Sequence, residues 1–338
     1  MSIQEVSSAK RFDPRALFSL DLQASNGLTE LTEFRVSAPF DNLVGVTEWS
    51  AVVATPLNLA LSDSMWTSAM VLTGRNMAGD LQTAGWGHLE GVLNQAWCGM
   101  ESNGDRVALR VGFVCDHESN AVSRCTVMID IVDLAQQLKV PLTPQSLGES
   151  GRWPNPQSQG DNGGDAETLS VVKAMQSSLH DSATTREEML AADHLQFWAE
   201  DFVWAGPGGI GITHGKEGFV DHHQLPFRTA FPDRVGGGVS STTSAGPKFG
   251  HFVKFSEGGW AVTGGWPSVA ATHKGDGWLG ATASKRPITL RVFDFYEVVA
   301  GRISMNWVFI DIVDFLRQID RLPESIKSYS GQQRGIQK

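Results

Sequence analysis

Between residues 168 and 318 the spacing of apolar positions changes once. Leu169, Val172, Met175 and Leu179 recur at helical spacing, as do Met189, Leu190, Leu195, Phe197 and Trp198. This predicts helices over 168–181 and 185–201. Thr184 or Thr185, followed by Glu187 and Glu188, resembles a capped start to the second. A third helix, roughly 216–230, follows the glycine-rich run at 206–211. From there the period becomes two, predicting strands over 249–256, 259–272, 287–299 and 302–311, with Ala300-Gly301 as a hairpin turn. A short helix over 312–320 closes the unit. Helices first and a meandering sheet afterwards is an α+β order, not a βαβ alternation.

The same strand pattern occurs earlier in the chain. Residues 106–137 align without a gap on 287–318 at an offset of 181, with 11 of 32 positions identical. Upstream, Thr83-Ala84-Gly85-Trp86 falls over Thr263-Gly264-Gly265-Trp266 at offset 180, and Trp97 falls over Trp278 at 181. A one-residue shift in the intervening loop is what diverged duplicates show. The first copy has a shorter, less helical beginning over 13–60. Between the copies, residues 143–166 are rich in Pro, Gly, Ser, Gln and Asn and offer no apolar face, which predicts a linker. The organisation is therefore a first domain over 13–142, a linker over 143–166 and a second domain over 167–323. A polar, frayed tail is expected from about Ser325.

A length of 338 residues suits two domains. The net charge of −10 is uneven: residues 1–165 carry 10 Lys+Arg against 19 Asp+Glu, the remainder 17 against 18. An acidic surface repels phosphates, which argues against nucleic acid or an anionic membrane as the main partner. No apolar run is long enough to span a bilayer, and the N-terminal residues lack the apolar stretch of a signal peptide. Cys98, Cys115 and Cys125 show no paired spacing and suit a reducing cytoplasm.

Asp311 is the first candidate for chemistry. Alternation along 302–311 places Ile303, Met305, Trp307, Phe309 and Asp311 on one face, and a carboxylate ending an apolar face is suited to proton transfer near neutral pH. Asp311 also precedes a helix with Asp314 three residues on, as an N-cap would. Asp130 and Asp133 repeat the arrangement, so both roles stay open. Asp294 alternates with Leu290, Val292 and Tyr296 and could share a concave face with Asp311, or lie on a solvent-facing edge. Its counterpart in the first copy is Phe113. The run at 206–211 satisfies GxGxxG but lacks a βαβ context, and reads as a backbone turn over a pocket mouth. His222 and His223, near His214, point apart on a helix and make a poor metal site. His194 lies in an apolar helical stretch.

Several segments of the second copy together resemble the SnoaL-like polyketide cyclases of the nuclear-transport-factor-2-like and ketosteroid-isomerase-like superfamily. These are 201–211, the Phe231-Pro232-Asp233 helix end, 275–280 and 303–319. The first copy resembles them more weakly through 39–45, 83–88 and 129–133. The resemblance implies tandem cone-shaped α+β barrels, each a curved antiparallel sheet wrapped around helices and enclosing an apolar pocket. It implies acid/base cyclisation or isomerisation of a small hydrophobic carbonyl or polyketide-like molecule, without metal or cofactor. Asp311 matches the family's acid/base position, and Asp130 matches it in copy one. Trp204, Trp266, Trp307 and Phe309 would form the pocket wall, with His194 and His222 as further candidates for substrate contact and Trp86 and His88 in copy one. Two fused copies could pack as an internal pseudo-dimer or pair again as a homodimer. The alternative is a hydrophobic-ligand carrier of the same fold.

Overall fold

In the computed structural model, which describes residues 12–19, 27–144, 146–158, 164–179, 183–238 and 249–329, the chain divides into two units. One comprises Met1–Val140 with Leu322–Lys338, the other Pro141–Arg321.

The first unit opens with strands β1 (Glu33–Val36) and β2 (Asp41–Val44). Helix α1 (residues 45–60) follows, then β3 (Leu61–Arg75), β4 (Leu81–Leu93), β5 (Arg106–Glu118), β6 (Ala121–Ile129) and helix α2 (Ile131–Gln137). The sheet order is β2-β1-β6-β5-β4-β3.

The second unit begins with α3 (Asp165–Ser177), α4 (Arg186–Leu190), β7 (Trp198–Ala205), β8 (Ile212–His214) and α5 (residues 215–230). It continues with β9 (Val235–Gly236), β10 (Val253–Glu257), β11 (Trp260–Thr272), β12 (Pro287–Val299), β13 (Arg302–Ile310) and α6 (Ile312–Gln318). Its sheet runs β10-β11-β12-β13-β7-β8, with β9 on β11.

The two orders are the same once equivalent strands are matched, as the internal repeat requires. Each sheet is antiparallel except for one parallel pair, β1 with β6 and β7 with β13. The expected all-antiparallel sheets are therefore mixed: the opening strand of each unit lies beside its last.

Two stretches differ from the periodicity reading. Residues 185–201 do not form one helix. A Thr185–Glu188 capping box starts α4, a tight turn over Asp193–Phe197 follows, and β7 begins at Trp198. Trp198, Phe202 and Trp204 all bury large rings, which suits a strand as well as a helix, so apolar spacing alone does not separate the two. The first copy does have its opening helix. Residues 45–60 and 215–230 match at an offset of 170: a helical turn, a wide π turn (Ser50–Ala54 and Val220–Gln224), then a turn with Pro56 or Pro226 second.

Residues 143–158 lie against the second unit. Trp153 is 1% exposed, packs edge-on against Phe309 at 4.7 Å and donates from Nε1 to the Gly206 carbonyl. The Pro154 carbonyl accepts from Trp307 Nε1 at 2.7 Å. The fully buried Glu297 carboxylate accepts from the Ser158 amide at 2.7 Å and from the Ser158 hydroxyl. One tryptophan and a set of backbone bonds anchor a polar segment that has no apolar periodicity. Residues 145 and 159–163 lie outside the described residues.

The run at 206–211 is the turn joining β7 to β8, closed by the Gly206 amide on the Gly211 carbonyl. A Cβ on Gly206 would overlap the Trp204 ring, and Gly211 has φ of +91°, a conformation that favours glycine. The chain after residue 322 is not frayed throughout. Helix α7 (Glu324–Lys327) buries Ile326, and Tyr329 packs on Phe40 and Trp97 within the first unit. Residues 330–338 lie outside the described residues.

Candidate functional site

The second unit contains a cavity of about 150 Å³. Its floor comes from alternate positions of two paired strands: Leu290, Val292, Asp294 and Tyr296 on β12, and Asn306, Val308 and Ile310 on β13. The register sets Asp294 opposite Val308 and Tyr296 opposite Asn306. Helix α3 contributes Met175 and Gln176, β7 contributes Trp198 and Trp204, and α5 contributes Phe219, His223 and Phe227. A cavity of that size holds a compact ring system.

Asp294 is the only carboxylate lining this cavity among the described residues. Burial pushes its carboxyl up to about 7, against smaller opposing effects of hydrogen bonds from Asn306 and Tyr296. His251 Nε2 stands 3.7 Å from Asp294 Oδ2. On the other side of that imidazole, Nδ1 lies 2.8 Å from Thr263 Oγ1 and 3.3 Å from Gln176 Nε2. Gln176 Nε2 also donates to Thr263 Oγ1 at 2.8 Å and to the Tyr296 hydroxyl at 3.3 Å. Burial, with a smaller contribution from Lys254, lowers His251 to about 3, so the imidazole is neutral. Burial raises the Tyr296 phenol well above its ordinary value and keeps it a donor.

One wall is a stack: the His223 ring lies 4.0 Å from Trp204 at 17°, and Phe227 lies 5.7 Å from the same imidazole at 27°. Gln176 Oε1, His223 Nδ1 and Ser268 Oγ, all on cavity-lining residues, have no hydrogen-bond partner among the described residues.

Of the residues expected from sequence, the structure brings Asp294 and Trp204 to this cavity. Asp311 does not reach it. Its side chain accepts from the Asp314 amide as the α6 N-cap and pairs with Arg291 Nη1 at 3.0 Å. Asp130 does the same at α2, with Arg110 bridging Asp130 at 2.9 Å and Asp133 at 2.7 Å.

Trp307 and Phe309 lie on the opposite face of β13, under residues 153–154. The alternation was right in period and wrong in side. The sheet is buried on both faces, so hydrophobicity does not say which face holds the cavity. The same parity places Cys125, Val127 and Ile129 at the equivalent positions of the first copy, which are thus apolar.

Trp266 lies under the Arg291 guanidinium at 4.6 Å, outside the cavity lining. His194 is buried behind Phe219, and His222 is outside the lining while His223 is in it. The wide π turn at 220–224 selects between these two. Trp86 and His88 are buried edge-to-face in the first unit, at 5.7 Å. Sequence reasoning missed His251, Gln176, Asn306 and His223 as site residues. Tyr296 was visible as the face-mate of Asp294, two residues away; His251 fell within the strand expected over 249–256, lies just before the observed β10, and had no spacing partner to set it apart.

The first unit replaces the polar floor. Phe113, Cys115 and Cys125 occupy the positions of Asp294, Tyr296 and Asn306, and Phe34 that of Trp204.

No family model matches the sequence, and no curated protein matches it. Solved structures do. A protein described as a SnoaL-like polyketide cyclase from Jannaschia sp. CCS1 is similar over 51% of this chain and all of its own, at 14% identity and a TM-score of 0.33. An NTF2-like protein from Burkholderia xenovorans LB400 covers 46% of this chain and 98% of its own, at 15% identity and 0.31. A Catenulispora acidiphila protein with a ketosteroid-isomerase-like fold, solved with trimethylamine, covers 41% and 96%, at 10% and 0.30. Each spans about half of this chain. No helix among the described residues is long and apolar enough to cross a membrane.

Proposed function

We propose that the second unit is an acid/base enzyme acting on a compact, largely apolar carbonyl compound, with Asp294 as the group that moves the proton. The observation that carries this reading is Asp294 itself: a carboxyl in an apolar cavity, held near pH 7, with a neutral imidazole 3.7 Å away. A group at that pKa is part acid and part base at neutral pH, which suits it both to take a proton from carbon and to return it. Removing a proton next to a carbonyl leaves an enolate whose oxygen needs a donor. Tyr296 and Asn306, on the same floor, supply O–H and N–H groups. The Trp204–His223 stack gives a flat wall for a ring. The unpartnered atoms of Gln176, His223 and Ser268 suit a ligand with oxygen substituents in place of a bare hydrocarbon.

Enolate formation with reprotonation at a second carbon is isomerisation; attack of the enolate on a second carbonyl is aldol ring closure. The test is α-proton exchange into D₂O of a bicyclic ketone such as 2-tetralone, followed by NMR. Wild-type protein should accelerate exchange, and Asp294→Asn should lose at least a hundredfold while still binding the ketone. Binding with no exchange by either protein would overturn the enzyme reading and leave a ligand carrier of the same fold.

A further inference from the structure

The first unit carries a pair of thiols that the chemistry above does not use. Cys115 on β5 and Cys125 on β6 are direct cross-strand partners, and their Sγ atoms lie 2.8 Å apart. Both side chains are fully buried, and both are free thiols. They occupy the two positions where the second unit has Tyr296 and Asn306. Directly opposed residues of an antiparallel pair have Cα atoms about 4.5 or 5.5 Å apart, depending on the pair type, and both values fall within the range a disulfide accepts. Cys98 is not part of this strand pair: it lies in the loop between β4 and β5.

We propose that Cys115 and Cys125 form a reversible dithiol–disulfide site inside the first unit, oxidised by small disulfides of the glutathione type. The thiolate of one cysteine attacks the glutathione disulfide and releases one glutathione thiol. The second cysteine then displaces the other. One Sγ–Sγ bond forms, two thiol protons are given up, and the two electrons reduce glutathione disulfide to two thiols. Burial pushes the Cys115 thiol well up, so exchange in the folded protein is slow and needs local opening.

The experiment uses the full chain in two arms, one incubated folded with oxidised glutathione and one refolded from denaturant in a glutathione redox buffer. Both are acid-quenched, denatured and labelled with N-ethylmaleimide. The expected product is 2 Da lighter than the reduced chain and takes one label where the reduced chain takes three. Trypsin should release peptide 111–124 joined to peptide 125–139, and dithiothreitol should restore three labels. The linked form should also melt several degrees higher, a gain that Cys125→Ser abolishes. Three free thiols in both arms, a bridge to Cys98, or a persistent glutathione adduct on either cysteine would each overturn the proposal. None of these outcomes depends on catalysis by the second unit.

Discussion

Arg291 Nη1 lies 3.0 Å from Asp311 Oδ2, and Arg110 repeats the contact on Asp130 at 2.9 Å. The carboxylate therefore joins the closing helix's N-terminus to the last strand but one, β12 or β5, in both copies, and in the second unit it stands outside the cavity lining. Asp311→Ala removes the cap and the nearer of the two carboxylates beside the Arg291 guanidinium, which is only 20% exposed and keeps Asp314 and the Trp266 ring. It should cost about 2–4 kcal/mol in urea unfolding. Asp311→Asn, which still caps, should cost roughly half as much. Ketone exchange per folded molecule should be unchanged in both variants. Loss of exchange in a fully folded Asp311→Asn would return the acid/base role to this residue.

Asp294 ties stability to pH in an unusual direction. Its carboxyl is raised from 3.8 to about 7 by burial, so between those values the folded chain holds a proton that the unfolded chain has lost. That contribution is complete below pH 3.8 and disappears as the pH rises through 7. The penalty well above pH 7 reaches about 4 kcal/mol. Asp294→Asn should therefore be more stable than wild type at pH 8, with the difference shrinking toward pH 4. Urea midpoints for the two proteins across that range measure it. Exchange by wild type should rise through about pH 7 as the base form appears.

His223 acts in the opposite sense. Burial, with a smaller contribution from Arg228, lowers it from 6.5 to about 3. Protonation of the unfolded chain draws the equilibrium away from the fold as the pH drops below 6.5. Nδ1 has no partner among the described residues, so His223→Phe keeps a ring against Trp204 and loses no hydrogen bond at Nδ1. At pH 5 the variant should gain about 1–2 kcal/mol over wild type, and at pH 8 almost nothing. An equal gain at both pH values would mean improved packing, not removal of a titrating group.

Much of the fold was legible because its signals are local. The hairpin at Ala300-Gly301 uses two positive-φ residues, the Thr185–Glu188 box starts α4, and the repeat over 106–137 and 287–318 fixed the duplication. The site was legible only in part. Asp294 and Tyr296 share a face by strand alternation, which sequence shows. Which face of β13 meets the cavity depends on what covers the other side, and there the cover is Trp153 and its neighbours, in a segment without periodicity. His251, Thr263 and Gln176 meet only through tertiary packing of three separate elements. The wide π turn interrupts the 3.6-residue period of 45–60 and of 215–230 alike, and only the second follows a glycine-rich run that marks its start.

The anchoring of residues 153–158 makes the last prediction. Glu297 accepts from the amides of Gln157 and Ser158, the Ser158 hydroxyl and the Ser304 hydroxyl. Glu297→Ala leaves these donors without an acceptor on a face the segment has covered, while Glu297→Gln keeps an acceptor oxygen. The alanine variant should lose about 2–4 kcal/mol, with the glutamine variant between it and wild type. Releasing the segment also exposes the peptide bond after Arg152, whose neighbour Trp153 is held against Phe309. Trypsin at low dose should cut Glu297→Ala there several times faster than wild type. If both are cut at the same rate, Trp153 alone holds the segment, and Trp153→Ala should then show the faster cleavage.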